Sequence, residues 1–242
     1  MKNYEVRGWI EEVGIIPAVR VRSAEDALFA AEAVVQGGIL IAEITLTVSG
    51  ALRVIAQLRS ENPNLVVGAG GVMDEKAARQ SIDAGAQFLT SDGLHFGLVE
   101  FAMAQEIVVI PGALTPTEVL TAWKAGCDFI KVVPCAQIGG ETYIRSLHRM
   151  FPHLPLIAAG GVTQQNATNF ILAGAVALDI GSELIPSDAL RGRQADRIAE
   201  LARRFAGFVK NGRAYAPTRR HSDSDSYDNK GQHKLHPPLR GT

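Results

Sequence analysis

The sequence predicts an α/β protein with a single (β/α)₈ TIM barrel over residues 1–210, followed by a polar, disordered tail over residues 211–242. Three observations predict this fold. Short β-branched or apolar segments alternate with longer segments of helical periodicity, a pattern typical of βα units in a parallel sheet. Eight such units fit into about 200 residues, as a compact barrel requires. No GxGxxG loop follows the first strand, which disfavours an open doubly wound sheet.

The elements are predicted in strict alternation. Strands are expected over residues 14–20, 39–46, 65–69, 87–91, 107–111, 128–133, 156–159 and 177–181. Helices are expected over residues 24–36, 51–61, 75–84, 97–104, 116–125, 142–150, 164–172 and about 188–210. Thr115 is a good N-cap before Pro116 at the first helical position and Glu118 at the third, so a helix should begin there. Ser23 and Thr163 occupy similar cap positions.

The tail differs from the rest of the chain in composition. Residues 211–242 are rich in Gly, Pro, Ser, Asp and basic residues and poor in large apolar ones. Such a segment buries too little surface to offset the entropy of ordering it. Its histidines, His221, His233 and His236, are therefore interpreted as solvated rather than as metal ligands.

Composition excludes several functional classes. With 24 basic and 25 acidic side chains the net charge is −1, so no global field indicates a nucleic-acid or membrane partner. The amino-terminal segment is charged, and no apolar segment reaches the roughly 18 residues of a membrane-spanning helix, so a cytoplasmic location is expected. Cys127 and Cys135 have no ligand cluster around them, and no H-E-x-x-H or G-x-S-x-G motif occurs. We expect no metal and no cofactor.

Two charged residues interrupt apolar strands. Lys131 is alone in Asp128-Phe-Ile-Lys-Val-Val-Pro134, and Glu43 is alone in the strand over residues 39–46. At the carboxyl end of a barrel strand, desolvation should lower the lysine pKa and leave an amine that attacks carbonyls. A glutamate nearby would serve as general acid and base. A lysine that extends outward, or a structural ion pair across the barrel, is the alternative.

Glycine-rich segments end the last two strands. Gly160 and Gly161 follow strand seven, and Gly181 and Ser182 follow strand eight. Many barrels bind phosphate at these positions through backbone N–H groups and helix N-termini. Ordinary βα turns would also explain these glycines. The segment Gly68-Ala-Gly-Gly71 lacks the Lys-Ser/Thr ending of a P-loop.

Together these segments resemble the KHG/KDPG aldolases, the 4-hydroxy-2-oxoglutarate and 2-keto-3-deoxy-6-phosphogluconate aldolases. The resemblance lies in GIIPAVRV, AEITL, VVGAGGV, GAQFLTS, IPGALTPTE, FIKVVPC, AAGGVT and IGSEL, in order and with matching spacing from about residue 10 to 210. It implies a metal-free, homotrimeric class I aldolase that cleaves a 2-keto-3-deoxy (phospho)sugar acid or 4-hydroxy-2-oxoglutarate to pyruvate and an aldehyde.

The resemblance also implies roles for particular residues. Lys131 would form the Schiff base and Glu43 would move protons. Gly160, Gly161 and Ser182, with Gly181 in the same loop, would bind a distal phosphate. Arg20, at the end of the first strand, matches an arginine that many members use for an anionic part of the substrate.

Five positions depart from the family pattern. Gly71 replaces a threonine that binds the pyruvate carboxylate, and Thr47 replaces an arginine that some members carry. Asp92 replaces a proline, Ala159 a frequent threonine, and Asp179 a small residue or glycine. Added carboxylates beside an anionic ligand weaken binding unless they are paired or protonated. We therefore hypothesise an unphosphorylated or otherwise unusual 2-keto-3-deoxy acid as substrate, with Thr47, Gly71, Asp92 and Asp179 in the binding site.

Two other functions stay open. One is a catalytically impaired barrel that binds a small keto acid, suggested by the lost carboxylate-binding residues. The other is a different phosphate-binding barrel enzyme, such as an isomerase or a thiamin-phosphate-synthase-like transferase, although no acidic cluster suited to magnesium is evident.

Overall fold

Nine parallel strands close the barrel, and two short consecutive ones together form the fifth of its eight strands. The computed structural model describes residues 2–215, and its sheet has the order β5-β4-β3-β2-β1-β9-β8-β7-β6. The strands are β1 Ile15–Val19, β2 Ile41–Thr45, β3 Val66–Gly70, β4 Phe88–Thr90, β5 Val108–Ile110, β6 Gly112–Ala113, β7 Ile130–Val132, β8 Leu156–Ala159 and β9 Ala177–Ile180.

The two ends of this sheet are one stretch of chain. Strand β5 pairs with β4 and strand β6 pairs with β7, and only Pro111 separates β5 from β6. Proline has no backbone N–H to donate to a ladder, which accounts for the interruption. Its carbonyl still accepts a hydrogen bond of 2.9 Å from the Lys131 backbone N–H. The predicted (β/α)₈ barrel is confirmed, with its fifth strand divided at this proline.

Helices surround the barrel. They are α1 Asn3–Val13, α2 Ala24–Gln36, α3 Ala51–Glu61, α4 Glu75–Asp83, α5 Phe96–Ala104, α6 Pro116–Lys124, α7 Gly140–Met150, α8 Ala167–Leu172, α9 Ser187–Arg191 and α10 Ala195–Tyr215, with a short 3-10 helix at Ala136–Ile138. The predicted N-caps act at α2, where Ser23 accepts from the Asp26 N–H, and at α6, where Thr115 and Glu118 form a capping box. Thr163 lies ahead of α8, whose N-cap residue is Asn166.

The structure differs from the predicted elements at both ends of the barrel. Helix α1 was not predicted; it buries Val6 and Ile10 against the barrel. The single last helix is instead α9 and α10, separated by residues 192–194. Helix α10 runs five residues past the predicted boundary at residue 210. Residues 216–242, with the three tail histidines, lie outside the described residues, so the disordered tail stays a prediction.

The strands are buried because helices cover their outer faces and side chains fill the barrel interior. Almost every strand residue is buried, and nearly all are apolar. The buried charged residues among those described are Glu43 and Lys131, which are 1% and 3% exposed. Burying a charge is unfavourable unless it is paired, so both residues need a specific local explanation. Over residues 2–215, no helix combines the length and apolarity needed to cross a membrane.

Candidate active site

A cavity of about 1060 Å³ opens at the carboxyl ends of the strands. This is the end of a TIM barrel where the βα loops build active sites. Eight of the predicted site residues line it: Arg20, Asp92, Lys131, Gly160, Gly161, Asp179, Gly181 and Ser182. Glu43 is buried beside this group in β2. The barrel therefore brings together residues from three strands, β2, β7 and β9, and from the segments that follow β1, β4, β8 and β9.

Lys131 is held at the base of the cavity by its strand. Its position in β7 is in register with Gly112 of β6 and Ile157 of β8. The side-chain amine donates a hydrogen bond of 2.9 Å to Asp92 Oδ1, and it lies 3.7 Å from Asp179 Oδ2. Lys131 is thus an almost fully buried cation between two carboxylates, and its amine nitrogen faces the cavity.

The pKa of Lys131 is shifted in the direction opposite to the prediction. Burial does lower it, as the sequence argument expected. The negative charges of Glu43, Asp179 and Asp92, with the hydrogen bond to Asp92, outweigh burial and raise the pKa above its ordinary value. The expectation of a lowered pKa is therefore wrong: the carboxylates around Lys131 favour its ammonium form. Two of these carboxylates, Asp92 and Asp179, are the added residues that depart from the family pattern.

Glu43 is placed to hold a proton. Its carboxylate packs over Gly70 of the adjacent strand β3, where a Cβ atom would overlap it. Burial, and then the charge of Asp179, raise the pKa of Glu43 to about 7, although the charge of Lys131 opposes them. The nearby Thr90 hydroxyl interacts with this carboxyl group and lowers its pKa by less than Lys131 does, while Glu43 Oε2 is buried without a hydrogen bond of ordinary distance and angle among the described residues. A carboxyl group with a pKa near neutrality can both give and take a proton.

The two aspartates differ in exposure and in pKa. Asp179 of β9 has a side chain only 12% exposed, and burial raises its pKa despite the nearby charges of Lys131 and Arg20. Asp92 follows β4 and its side chain is 53% exposed. Partial burial would raise its pKa, but the hydrogen bond and charge of Lys131 and the charge of Arg20 hold it below the ordinary value. Asp92 is therefore the ionised partner of the Lys131 ammonium.

The glycine loops after β8 and β9 form another part of the cavity wall. Gly160 and Gly161 have φ values of 78° and 88°, a left-handed backbone that favours glycine. A Cβ on Gly161 would also overlap the side chain of Ala136, in the segment after β7. Gly181 and Ser182 lie at the adjoining end of β9. The glycines thus serve the packing of these loops, and they also leave backbone open to a ligand.

Three arginines line the same cavity: Arg20, Arg22 and Arg191. Arg20 is close enough to influence the pKa of Glu43, Asp92 and Asp179. The sequence analysis identified Arg20 but missed the other two. Arg22 could have been found, because it lies two residues after Arg20 beyond the end of β1. Arg191 ends the short helix α9, whose separation from α10 was not predicted.

Two predicted binding residues lie outside this cavity lining. Thr47 is exposed in the segment after β2, and its hydroxyl shares a hydrogen bond of 2.9 Å with Thr45. Gly71 follows β3 with a φ of 70°, and a Cβ there would meet nothing within 4 Å. Their roles in substrate binding stay predictions. No group of three or more His, Cys, Asp or Glu residues within residues 2–215 is arranged to hold a metal ion.

Most of the chain is similar in sequence to a known family of proteins. Residues 6–201 match the family model described as KDPG and KHG aldolase. The chain is 32% identical over 189 residues to the KHG/KDPG aldolase of Escherichia coli K12, covering 78% of this chain and 89% of that protein. It is 28% identical to the 2-dehydro-3-deoxy-phosphogluconate aldolase of Treponema pallidum, covering 83% and 95%.

A solved structure shares the fold over the same region. The KDPG aldolase of Legionella pneumophila, with pyruvate captured as a covalent carbinolamine, superimposes with a TM-score of 0.76 at 27% identity, covering 82% of this chain and 96% of that one. The match spans the barrel, with Lys131, Glu43 and the glycine loops inside it. The chain therefore belongs to the KDPG and KHG aldolase family of carbon–carbon lyases.

Proposed function

We propose that this protein is a class I aldolase that cleaves a 2-keto-3-deoxy (phospho)sugar acid, or 4-hydroxy-2-oxoglutarate, through a Schiff base on Lys131. The observation that carries the proposal is the placement of Lys131. Its amine is buried, faces the cavity at the carboxyl end of the barrel, and has the charge of Glu43 close enough to affect it. A buried amine beside a carboxyl group of pKa about 7 is the pairing that this chemistry needs.

The reaction begins with a proton leaving the Lys131 ammonium for a neighbouring carboxylate. The freed lone pair attacks C2 of the substrate while the C=O π electrons move to oxygen, and a proton moves from the nitrogen to that oxygen to give a neutral carbinolamine. The carboxyl group then returns its proton to the carbinolamine hydroxyl, which leaves as water while the nitrogen lone pair forms the C=N bond of an iminium ion. Because the iminium is formed where the ammonium was, the carboxylates of Glu43 and Asp179 stabilise its positive charge as well.

Carbon–carbon cleavage uses the iminium as an electron acceptor. The electrons of the C3–C4 bond move toward it to form an enamine, while Glu43 takes the proton of the C4 hydroxyl and the aldehyde leaves. Glu43, which now carries that proton, returns it to the enamine at C3, and addition of water to the resulting iminium releases pyruvate and free Lys131. A positioned proton-transfer group of this type contributes roughly 10²–10⁴-fold in rate.

The mouth of the cavity supports an anionic distal group on the substrate. Arg20, Arg22 and Arg191 supply positive charge, which the carboxylates of Asp26 and Glu183 in the same lining partly offset. The loops at Gly160 and Ser182 supply backbone and hydroxyl donors. The added carboxylates of Asp92 and Asp179 lie at the amine, so we expect them to act on the reacting end of the substrate. This arrangement favours a phosphorylated substrate over the unphosphorylated one hypothesised from the sequence.

Borohydride trapping with pyruvate tests the proposal. We expect reduction to add one pyruvate-derived group, located at residue 131 by peptide mass spectrometry, and Lys131→Ala to abolish it. Lys124→Ala, which removes an exposed lysine on α6, is the matched control and should be labelled like the unmodified protein. Labelling that persists in Lys131→Ala, or no labelling of the unmodified protein at any pH from 6 to about 10, would contradict the proposal.

A catalytically impaired barrel that binds a keto acid is the second candidate. The observation that favours it is the set of three carboxylates that hold Lys131 as an ammonium ion. The two candidates differ in outcome: an impaired barrel binds pyruvate without exchanging its methyl protons for solvent deuterium. An active one exchanges them through the enamine.

Assembly and location are proposed from the family alone. A homotrimer acting on a small-molecule keto acid in the cytoplasm, without nucleic-acid or membrane partners, is what membership suggests.

A further inference from the structure

Lys131 has three carboxylate neighbours, and the proposed mechanism gives a named role in proton transfer only to Glu43. Glu43 approaches from β2 and Asp179 from β9, both deeply buried. Asp92 approaches from the loop after β4 and is half-exposed to the cavity. Its oxygen is nevertheless the closer of the two measured to the amine, at 2.9 Å against 3.7 Å for Asp179. The contact is therefore made on the cavity side, where a substrate must enter.

The fold places the Asp92 backbone at this point. The Ser91 hydroxyl donates a hydrogen bond of 2.7 Å to the Gly93 carbonyl, which tightens the loop around Asp92. On the other side, a Cβ at Gly112 would overlap the Asp92 carbonyl group. Gly112 is also the residue of β6 in register with Lys131. The loop that carries the carboxylate thus packs directly against the strand position beside the amine.

This contact has two consequences for a keto acid. An ammonium nitrogen has no lone pair, so the Nζ–C2 bond forms only after a proton has left Nζ. The carboxylate of a 2-keto acid is bonded to C2 itself, so it must lie within a few ångströms of the Asp92 carboxylate if both stay near Nζ. Two like charges that close repel each other, and partial burial strengthens the repulsion.

We propose that Asp92 is a specificity-determining residue that occupies Nζ of Lys131 in the free site, opposes the carboxylate of an incoming 2-keto acid, and must move away or take up a proton before the Schiff base forms. The inference rests on the proposed function, because it concerns the same amine and the same bond. The charged groups that face Lys131 are Glu43, Asp92, Asp179 and, farther out, Arg20. Removing the Asp92 charge leaves the other three in place.

The first test measures pyruvate affinity. In Asp92→Asn, the pyruvate concentration that gives half-maximal borohydride trapping should fall about tenfold at pH 7. A tenfold change corresponds to about 1.4 kcal/mol of like-charge repulsion removed. Glu100→Gln removes an exposed carboxylate on α5, outside the cavity lining, and it should change the half-maximal concentration less than twofold. An unchanged or higher concentration for Asp92→Asn would overturn the proposal.

The second test does not depend on Schiff-base chemistry. The pH dependence of Lys131 acetylation by acetic anhydride, followed by peptide mass spectrometry, reports the pKa of the amine directly. Its midpoint should lie at lower pH in Asp92→Asn than in the unmodified protein and in Glu100→Gln. An unshifted midpoint would overturn the ion-pair role even if trapping works. Shifted acetylation without any trapping would instead contradict the proposed function, and with it the specificity role.

Discussion

Glu43 and Asp92, two of the carboxylates around Lys131, each lie against a glycine of a neighbouring strand. Gly70 accommodates the Glu43 carboxylate, and Gly112 accommodates the Asp92 backbone. Neither glycine has a positive φ among the described residues, so conformational freedom does not explain them. Both positions are glycine because the Glu43 carboxylate and the Asp92 backbone occupy the space that a side chain would need. The charged cluster therefore depends on missing side chains as much as on the ones present.

Gly70→Ala should displace Glu43 and slow proton transfer. The added methyl group would overlap the Glu43 carboxylate, so that side chain must move away from the amine. We expect a loss of about 1–3 kcal/mol in the free energy of unfolding, measured by urea denaturation, because the interior is overpacked. Deuterium exchange of the pyruvate methyl group, followed by proton NMR, should slow at least tenfold.

The control for this change is Gly97→Ala. Gly97 is an exposed residue of α5, and a Cβ there would meet nothing within 4 Å. This variant should be as stable as the unmodified protein or slightly more so, since alanine is the better helix former, and its exchange rate should be unchanged. If Gly70→Ala exchanged deuterium at the normal rate, Glu43 would not be the proton-transfer group.

At the residue scale, the sequence identified the charged residues but did not predict their pKa shifts. Glu43 and Lys131 stand out because each interrupts an apolar strand. The direction of the Lys131 pKa shift could not be predicted, because it depends on three carboxylates that come from β2, β9 and the loop after β4. Only the closed barrel brings them within reach of one nitrogen.

Among the elements, the carboxyl-terminal helix α10 contacts the amino-terminal helix α1. Gly212 packs on Ile171 of α8, where a Cβ would lie 2.7 Å from the Ile171 side chain. One residue later, Arg213 donates hydrogen bonds to the carbonyls of Glu11 and Glu12, in the last turn of α1, and to Val176 O at 3.2 Å. A guanidinium group there satisfies carbonyls that a helix end leaves unpaired and complements the helix dipole.

Arg213→Ala should therefore destabilise the barrel by about 1–2 kcal/mol, because charged hydrogen bonds to backbone carbonyls are lost. Urea denaturation measures the effect. Arg203→Ala is the matched control: Arg203 lies in the same helix but pairs only with Glu200 among the described residues, at 3.3 Å on the surface, so its loss should cost less than about 0.5 kcal/mol. Equal effects of the two substitutions would show that the contact with α1 does not stabilise the protein.

The predicted element boundaries failed where the helices depend on such contacts. Helix α1 is short and strongly charged, and its stability comes from burying Val6 and Ile10 against the barrel. The extension of α10 beyond residue 210 is likewise accompanied by the contacts of Gly212 and Arg213. The polar composition of residues 211–215 predicted a tail, because composition contains no information about the tertiary contacts of Gly212 and Arg213.

For the whole molecule, alternation of strand and helix predicted a parallel sheet covered by helices, since each strand must be buried on both faces and each helix on one. The number of units and the missing GxGxxG loop then favoured the barrel over an open sheet. The division of the fifth strand at Pro111 and the separation of α9 from α10 did not affect that result. The cavity followed from the fold, because barrel loops meet at one end. The charge balance inside it did not follow, since it is a property of the assembled site.

The same charge balance links the stability of the whole protein to pH. The pKa of Glu43 is raised from its usual 4.5 to about 7, so the folded state holds a proton that the unfolded chain releases above pH 4.5. Stability from this group is therefore full below about pH 4.5 and is lost as the pH rises toward and past 7. Asp179, whose pKa is also raised, acts in the same direction.

We expect the unfolding free energy of the unmodified protein to fall relative to that of Glu43→Gln between pH 5 and pH 8. Glutamine is similar in shape to the protonated carboxyl group but does not ionise, so the pH-dependent difference between the two proteins isolates this group. Urea denaturation at both pH values measures it, and Glu100→Gln, an exposed carboxylate on α5, should show no comparable change. A difference that stays constant between pH 5 and pH 8 would mean that Lys131 holds Glu43 as a carboxylate, because the titration of Glu43 would then be almost complete below this range. Asp179, the other deeply buried carboxyl group of the cluster, would then have to carry the proton that is transferred during catalysis.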